Sequence, residues 1–352
     1  MNAVSKNSRN LKSATCPEPG RRIQNRKWAG IVAFAFTLCA AVADAQQPGK
    51  IYRIGFLDPS TPSGMAVLID AFREELRKLG WIEGKNIAIE YRFAERKSER
   101  LPELAAELVR LKVDLIVVSG TGPATAAKKE TSTIPIVMST SGDPVGAGLV
   151  VSLGRPGGNV TGLSALAPEL ATKRLEILKE ALPKMFRVGF LMGSVDQSVA
   201  QSLQLKELRP AALALRLKLE EIKYGRDAKD LEKAFQTAKQ KQVDAIMTLS
   251  GRPIFVLRKP IVELAGKYRL PAMYFQREFV DEGGLMSYGV DFDDLYRRAA
   301  HYVDKILKGA KPADLPVQQA TKFEFIINLK AAKEINLTIP VRVLERANQV
   351  IK

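Results

Sequence analysis

The sequence predicts an α/β protein of two Rossmann-like lobes, each a parallel sheet flanked by helices, joined by a multi-strand hinge. Three observations predict it. Short apolar, β-rich runs alternate with longer stretches whose apolar residues recur at helical spacing. The alternation pauses at the turn-rich segment Gly154-Arg155-Pro156-Gly157-Gly158-Asn159 and restarts after Pro168, giving two blocks of similar size. The tail from Gly283 is too short for a third domain, so it is expected to return and complete the other two. At 352 residues the chain is long enough for two separate cores.

The elements follow in order. Tyr52 to Leu57 reads as a buried strand. Val67, Leu68, Ala71, Phe72, Leu76 and Leu79 then share one helical face over Met65 to Leu79, which Gly80 ends. Asn86 to Phe93 alternates like a strand, Leu101 to Leu111 carries a helical stripe, and Asp114 to Val118 is a continuous apolar strand. A helix near Ala124 to Glu130 and a strand Ile134 to Met138 close the first block. The second block reads as helix 169–182, strand 188–192, helix 199–215, strand 218–222, helix 228–241, strand 244–249, helix 254–268 and strand 272–275. The tail adds strand 284–290, helix 292–307, a stop at Lys308-Gly309-Ala310-Lys311-Pro312, and a last strand and helix over 323–335. These runs assign residues 50–162 with about 285–318 to the first lobe, and 163–284 with about 319–352 to the second.

Ahead of these units lies a leader, residues 1–45. Arg21, Arg22, Arg26 and Lys27 precede an apolar run from Trp28 to Val42, and Ala43-Asp44-Ala45 follows. Basic, apolar and small-x-small in that order make a secretory signal peptide, with cleavage expected after Ala45. The apolar run falls short of the roughly 20 residues that cross a bilayer, so no stable membrane insertion is expected. Both cysteines, Cys16 and Cys39, belong to the leader, which leaves the chain from Gln46 without disulfides or thiol chemistry. The leader also holds seven basic and two acidic residues, so the formal charge of +16 falls to +11 once it is removed. The remaining basic residues are scattered among acids, as in Arg73-Glu74-Glu75, and none forms a run interleaved with aromatics. Solvated helix faces, not a nucleic-acid surface, account for that pattern.

Open α/β sheets place ligands beyond the carboxyl ends of their strands, so the candidate site residues are those that follow strands. Ser119-Gly120-Thr121-Gly122 follows the third strand and opens a helix. Its backbone N–H groups and the positive helix end suit a carboxylate, although an ordinary Gly-rich turn needs the same residues. Ser139, Thr140, Ser141 and Asp143 follow the fourth strand, where they either meet a ligand or satisfy turn backbone. Asp58, after the first strand, either pairs with a ligand amine or caps the next segment. In the second lobe Ser194 and Asp196 follow one strand, Ser250, Gly251 and Arg252 another, and Phe275 and Gln276 a third. Tyr288 lies near an expected crossing. Phe275 and Tyr288 could stack on a planar ligand, or pack in the core as aromatics at strand ends commonly do.

Catalysis finds no support. The one histidine, His301, falls in the helical stretch 292–307, where a surface or packing position suits it, and one histidine builds no histidine metal cluster. There is no Gly-x-Ser-x-Gly elbow and no Walker-type phosphate loop. No cofactor, metal or catalytic residue is therefore expected.

Several stretches resemble one family. They are Phe72-Arg73-Glu74-Glu75-Leu76-Arg77-Lys78-Leu79-Gly80-Trp81 with Gly84-Lys85-Asn86, then Ser141 to Val150, Arg155 to Gly162, Gly283 to Asp291, Ile306 to Pro316, Lys322-Phe323-Glu324-Phe325 and Leu344 to Ile351. Together they resemble ABC transporter substrate-binding proteins related to tryptophan/tyrosine-type binding proteins, which share the type I periplasmic-binding fold. Small departures occur at Gln318-Gln319-Ala320, where the family often has an acid and a proline, and at Asn348, where it usually has Asp. The resemblance implies a periplasmic protein that captures a small organic solute, an amino acid or an aromatic or carboxylate compound among them. Such a protein delivers its ligand to an ABC permease driven by an ATPase subunit, a role that a monomer fits. The alternative is a sensing module that presents its ligand to a membrane receptor.

Overall fold

The computed structural model describes residues 50–193, 199–225 and 228–352. The leader with its two cysteines and cleavage site, together with Ser194 and Asp196, lies outside the described residues.

The first lobe is laid down as β1 (Tyr52–Asp58), α1 (Pro62–Lys78), β2 (Ile87–Phe93), α2 (Leu101–Arg110), β3 (Leu115–Ser119), α3 (Thr121–Glu130), β4 (Ile136–Thr140) and β5 (Val160–Ser164). α1 begins three residues before the expected start. Thr61 Oγ1 accepts the Gly64 N–H at 3.2 Å, and Pro62 stands in the first turn, where its missing N–H costs nothing. It ends where Gly80 takes φ +90°, with Trp81 N–H donating to Leu76 O and Gly80 N–H to Arg77 O, a Schellman closure.

The chain then builds α4 (Ala167–Ala181), β6 (Arg187–Gly193), α5 (Val199–Ala214), β7 (Lys218–Tyr224), α6 (Ala228–Gln240), β8 (Ala245–Thr248), α7 (Arg252–Val256), α8 (Arg258–Lys267), β9 (Ala272–Tyr274), α9 (Glu278–Asp281) and β10 (Met286–Val290). The helix expected over 254–268 is interrupted at Leu257, whose backbone leaves helical geometry. It returns as α10 (Phe292–Leu307) and β11 (Gln318–Gln319), and closes with β12 (Phe323–Asn328), α11 (Leu329–Glu334), α12 (Val341–Leu344) and β13 (Gln349–Ile351).

Two sheets result, in the orders β11-β5-β4-β3-β1-β2 and β13-β12-β10-β9-β8-β6-β7. Every pair is parallel except β10 with β12. Successive strand residues feed opposite faces. In the first sheet Ile54, Phe56, Leu115 and Val117 meet α1 and α10, while Leu57, Ile116 and Val118 meet α2 and α3. The second sheet is covered on both faces in the same way. That double burial is why the strands read as unbroken apolar runs.

Two details correct the expected lobe boundaries. The turn-rich segment 154–159 connects β4 to β5 within the first sheet, and β5 pairs with β4 up to Ser164, so the first lobe runs about two residues past the expected end at 162. Met286–Val290 belongs to the second sheet, where it adds to β9, so the return to the first lobe starts with α10. The chain thus passes between lobes near residues 165–166, at Asp291 and at 320–322, and Asp291 N–H donates to Lys322 O across two of these crossings. On the surface, basic residues alternate with acids along the helices, as in the pairs of Lys78 with Glu74 and Glu75. His301 is exposed on α10, with Nε2 3.1 Å from Glu75 Oε1 on α1.

Candidate functional site

The strand order of each sheet reverses once beside its first strand. In the first sheet β1 has β2 on one side and β3 on the other; in the second, β6 lies between β7 and β8. At such a reversal the connections leave in opposite directions and open a crevice beyond the strand ends. A cavity of about 390 Å³ lies there, lined from both lobes. Its size suits a small organic molecule.

From the first lobe come Ser119, Gly120, Thr121, Gly122, Thr140 and Gly142. Gly120 adopts φ +100° and no side chain caps the start of α3, so the first-turn N–H groups of Thr121 and Gly122 remain for another acceptor. Thr121 is buried; its hydroxyl accepts the Gly142 N–H at 3.3 Å and lies 3.2 Å from Ser141 Oγ, tying the β3 and β4 loops together. Ser119 Oγ sits 2.6 Å from Tyr296 Oη, anchored against α10.

The second lobe contributes the start of α5, the loop after β8 and the end of β9. Gln204 on α5 is fully buried and grips Ser250 twice: its Oε1 accepts the Ser250 N–H at 2.7 Å and its Nε2 donates to Ser250 O at 2.9 Å. Gln276 Nε2 donates to Glu278 Oε1 at 2.8 Å. Since a carboxylate only accepts, this fixes the amide and leaves Gln276 Oε1 as an unpaired buried acceptor on a lining residue. Phe275, Phe292, Ile254 and Leu101 supply apolar wall, and the charged lining among the described residues is Lys129 and Glu130, both exposed near the far end of α3.

Of the residues the sequence singled out, Ser119, Gly120, Thr121, Gly122, Thr140, Ser250, Gly251, Phe275 and Gln276 are brought together here. Four others stand elsewhere. Asp58 is buried, and its Oδ1 accepts the Ser60 N–H at 2.7 Å, holding the turn after β1. Ser139 donates to Val118 O at 3.1 Å, inside the sheet. Asp143 Oδ1 accepts the Gly146 N–H at 2.8 Å within its own loop. Tyr288 is stacked on Phe323 with centroids 6.4 Å apart and meets Phe325 edge-on, as core packing. Sequence reasoning missed Gln201 and Gln204, which sit on a helix with nothing to mark them, and the edge of α2 at Leu101 and Pro102.

Two doubly wound lobes whose strand ends face one another across a largely neutral cavity define a binding protein that holds a small molecule between them. The family profile described as ABC transporter substrate binding protein matches residues 59–351, and the chain belongs to that family. It is 29% identical over 276 residues, 76% of this chain and 75% of the relative, to a tyrosine-binding protein of Clostridioides difficile (strain R20291). Among solved structures it is similar to a conserved domain protein of Vibrio cholerae, with a TM-score of 0.79, 29% identity, and 86% of this chain and all of that one covered. It is also similar to a Streptococcus pneumoniae ABC domain in complex with L-Trp, with a TM-score of 0.77, 28% identity, and 86% of this chain and 100% of that one covered. The protein is an extracytoplasmic solute-binding protein of a non-catalytic class, with a small organic ligand held between its lobes. Among the described residues no helix is long and apolar enough to cross a membrane.

Proposed function

We propose that the protein captures an amino acid, or an aromatic or other carboxylate compound, in the interlobe cavity in the periplasm. It then passes the ligand as a monomer to an ABC permease coupled to an ATPase, after removal of the leader at Ala45. The observation that carries the ligand class is the uncapped start of α3, whose N–H groups and positive helix end meet a mostly apolar cavity. The names of the tyrosine-binding and L-Trp-bound relatives support the same class. Ligand bridging both walls stabilises the closed arrangement, which is the form a permease recognises.

The test is a thermal-shift screen over amino acids, aromatic acids, other carboxylates, nucleosides and uncharged sugars, followed by calorimetry on each hit. A ligand that binds only the folded state raises Tm with its excess over Kd. Shifts confined to carboxylates support the reading, and shifts confined to nucleosides or uncharged sugars refute it.

A further inference from the structure

Arg174, on α4, is fully buried, yet no carboxylate pairs with it among the described residues. Its Nη1 donates to Tyr288 O at 3.2 Å and its Nη2 to Ser250 Oγ at 3.0 Å, while Nε has no partner. Burial pushes the guanidinium down to about 9, which still leaves it protonated at neutral pH. A full positive charge thus stands in the second lobe against two neutral acceptors, an arrangement that packing alone would disfavour.

Its reach toward the cavity runs through Ser250, which lines it. A guanidinium only donates, so Ser250 Oγ must accept from Arg174, and the serine's own proton points elsewhere. The backbone N–H and C=O of Ser250 are already taken by Gln204. What remains is a hydroxyl donor on the cavity wall with a fixed cation behind it. The opposite wall carries the uncapped N–H groups of α3, and that ten-residue helix places the lining carboxylate Glu130 at its far, exposed end.

We propose that Arg174 is a positioning residue that determines specificity: it turns the Ser250 hydroxyl into the cleft as a donor and makes the second lobe select a carboxylate over its neutral amide. This rests on the reading that the interlobe cavity captures a carboxylate. With one hydroxyl between guanidinium and ligand, the charges stand about 6 Å apart, which favours the anion by roughly 10- to 100-fold in affinity.

The experiment measures Kd by calorimetry for matched pairs: L-tryptophan and L-tryptophanamide, L-tyrosine and L-tyrosinamide, indole-3-acetate and indole-3-acetamide. The wild type is expected to prefer the acid of a bound pair by about 10- to 100-fold. Arg174→Gln should bring that ratio to within about threefold, while Arg174→Lys, and Ser250→Ala, which removes the relaying hydroxyl but leaves the charge, should each lower it to an intermediate value. Ser250→Ala leaves the buried cation and its helix in place, so the test survives a folding defect in Arg174→Gln. Unchanged acid-to-amide ratios in Ser250→Ala, or a wild type that binds amides as tightly as acids, would overturn the proposal while leaving solute capture standing. Binding of no acid and no amide would overturn the carboxylate reading, and this assignment with it.

Discussion

Replacing Gln204 by Leu tests whether the second lobe's half of the site is held as described. The two side chains have similar volume, so the change removes hydrogen bonds with little added cavity. It orphans the Ser250 N–H and C=O, now bonded at 2.7 and 2.9 Å, while Ala200 O, 3.1 Å from Nε2, keeps its helical partner. At about 1–1.5 kcal/mol for each lost bond the cost is about 2–3 kcal/mol. In a protein of this size that lowers Tm by roughly 3–5 °C. Gln204→Glu should be worse than Leu, because it sets a carboxylate oxygen against Ser250 O where the amide now donates. Thermal and urea unfolding of both variants, read with ligand affinity, provide the assay. A Gln204→Leu variant melting within about 1 °C of wild type, with unchanged affinity, would refute the account of Gln204 as the clamp of the Ser250 loop.

Further outcomes follow from the same contacts. Thr121→Ala should weaken ligand binding by about tenfold in calorimetry with little loss of Tm, since its hydroxyl orders the loop beside the helix start; unchanged affinity would remove α3 from the site. Gly162→Ala should cost more than about 3 kcal/mol in urea unfolding, or prevent folding, because φ is +127° and the new Cβ would stand 2.3 Å from Met138 O. In Gly289→Ala the Cβ would fall 2.0 Å from Phe275 O, so both stability and ligand affinity should drop as the Phe275–Gln276 wall is displaced. Asn348→Asp should be nearly neutral because Oδ1 still accepts the Phe325 N–H at 2.7 Å, whereas Asn348→Ala should cost about 1 kcal/mol by thermal unfolding.

The sequence by itself determined the architecture, because a strand buried on both faces must be apolar throughout and a helix on a sheet must show its stripe. Loops that follow strands could be located in the same way, and so Ser119, Gly120, Thr121, Gly122, Thr140, Ser250, Gly251, Phe275 and Gln276 were legible as site candidates. Which of those loop residues turn toward the cavity was settled only by tertiary packing. Asp58, Ser139 and Asp143 occupy equivalent places after strands, yet each spends its oxygen on nearby backbone. The lobe change at Asp291 was likewise hidden, since strand Met286–Val290 carries no mark of the sheet it joins, whereas the change near 165 lies close to the expected one at 162. Gln204 and Arg174 escaped for a deeper reason. Each is a polar residue inside a helix, where sequence predicts solvent, and its burial is balanced through Ser250, 46 and 76 residues away in the chain, and for Arg174 also through Tyr288 O. Such long-range hydrogen bonds leave no periodic trace, because periodicity records a residue's own element and not the element packed against it.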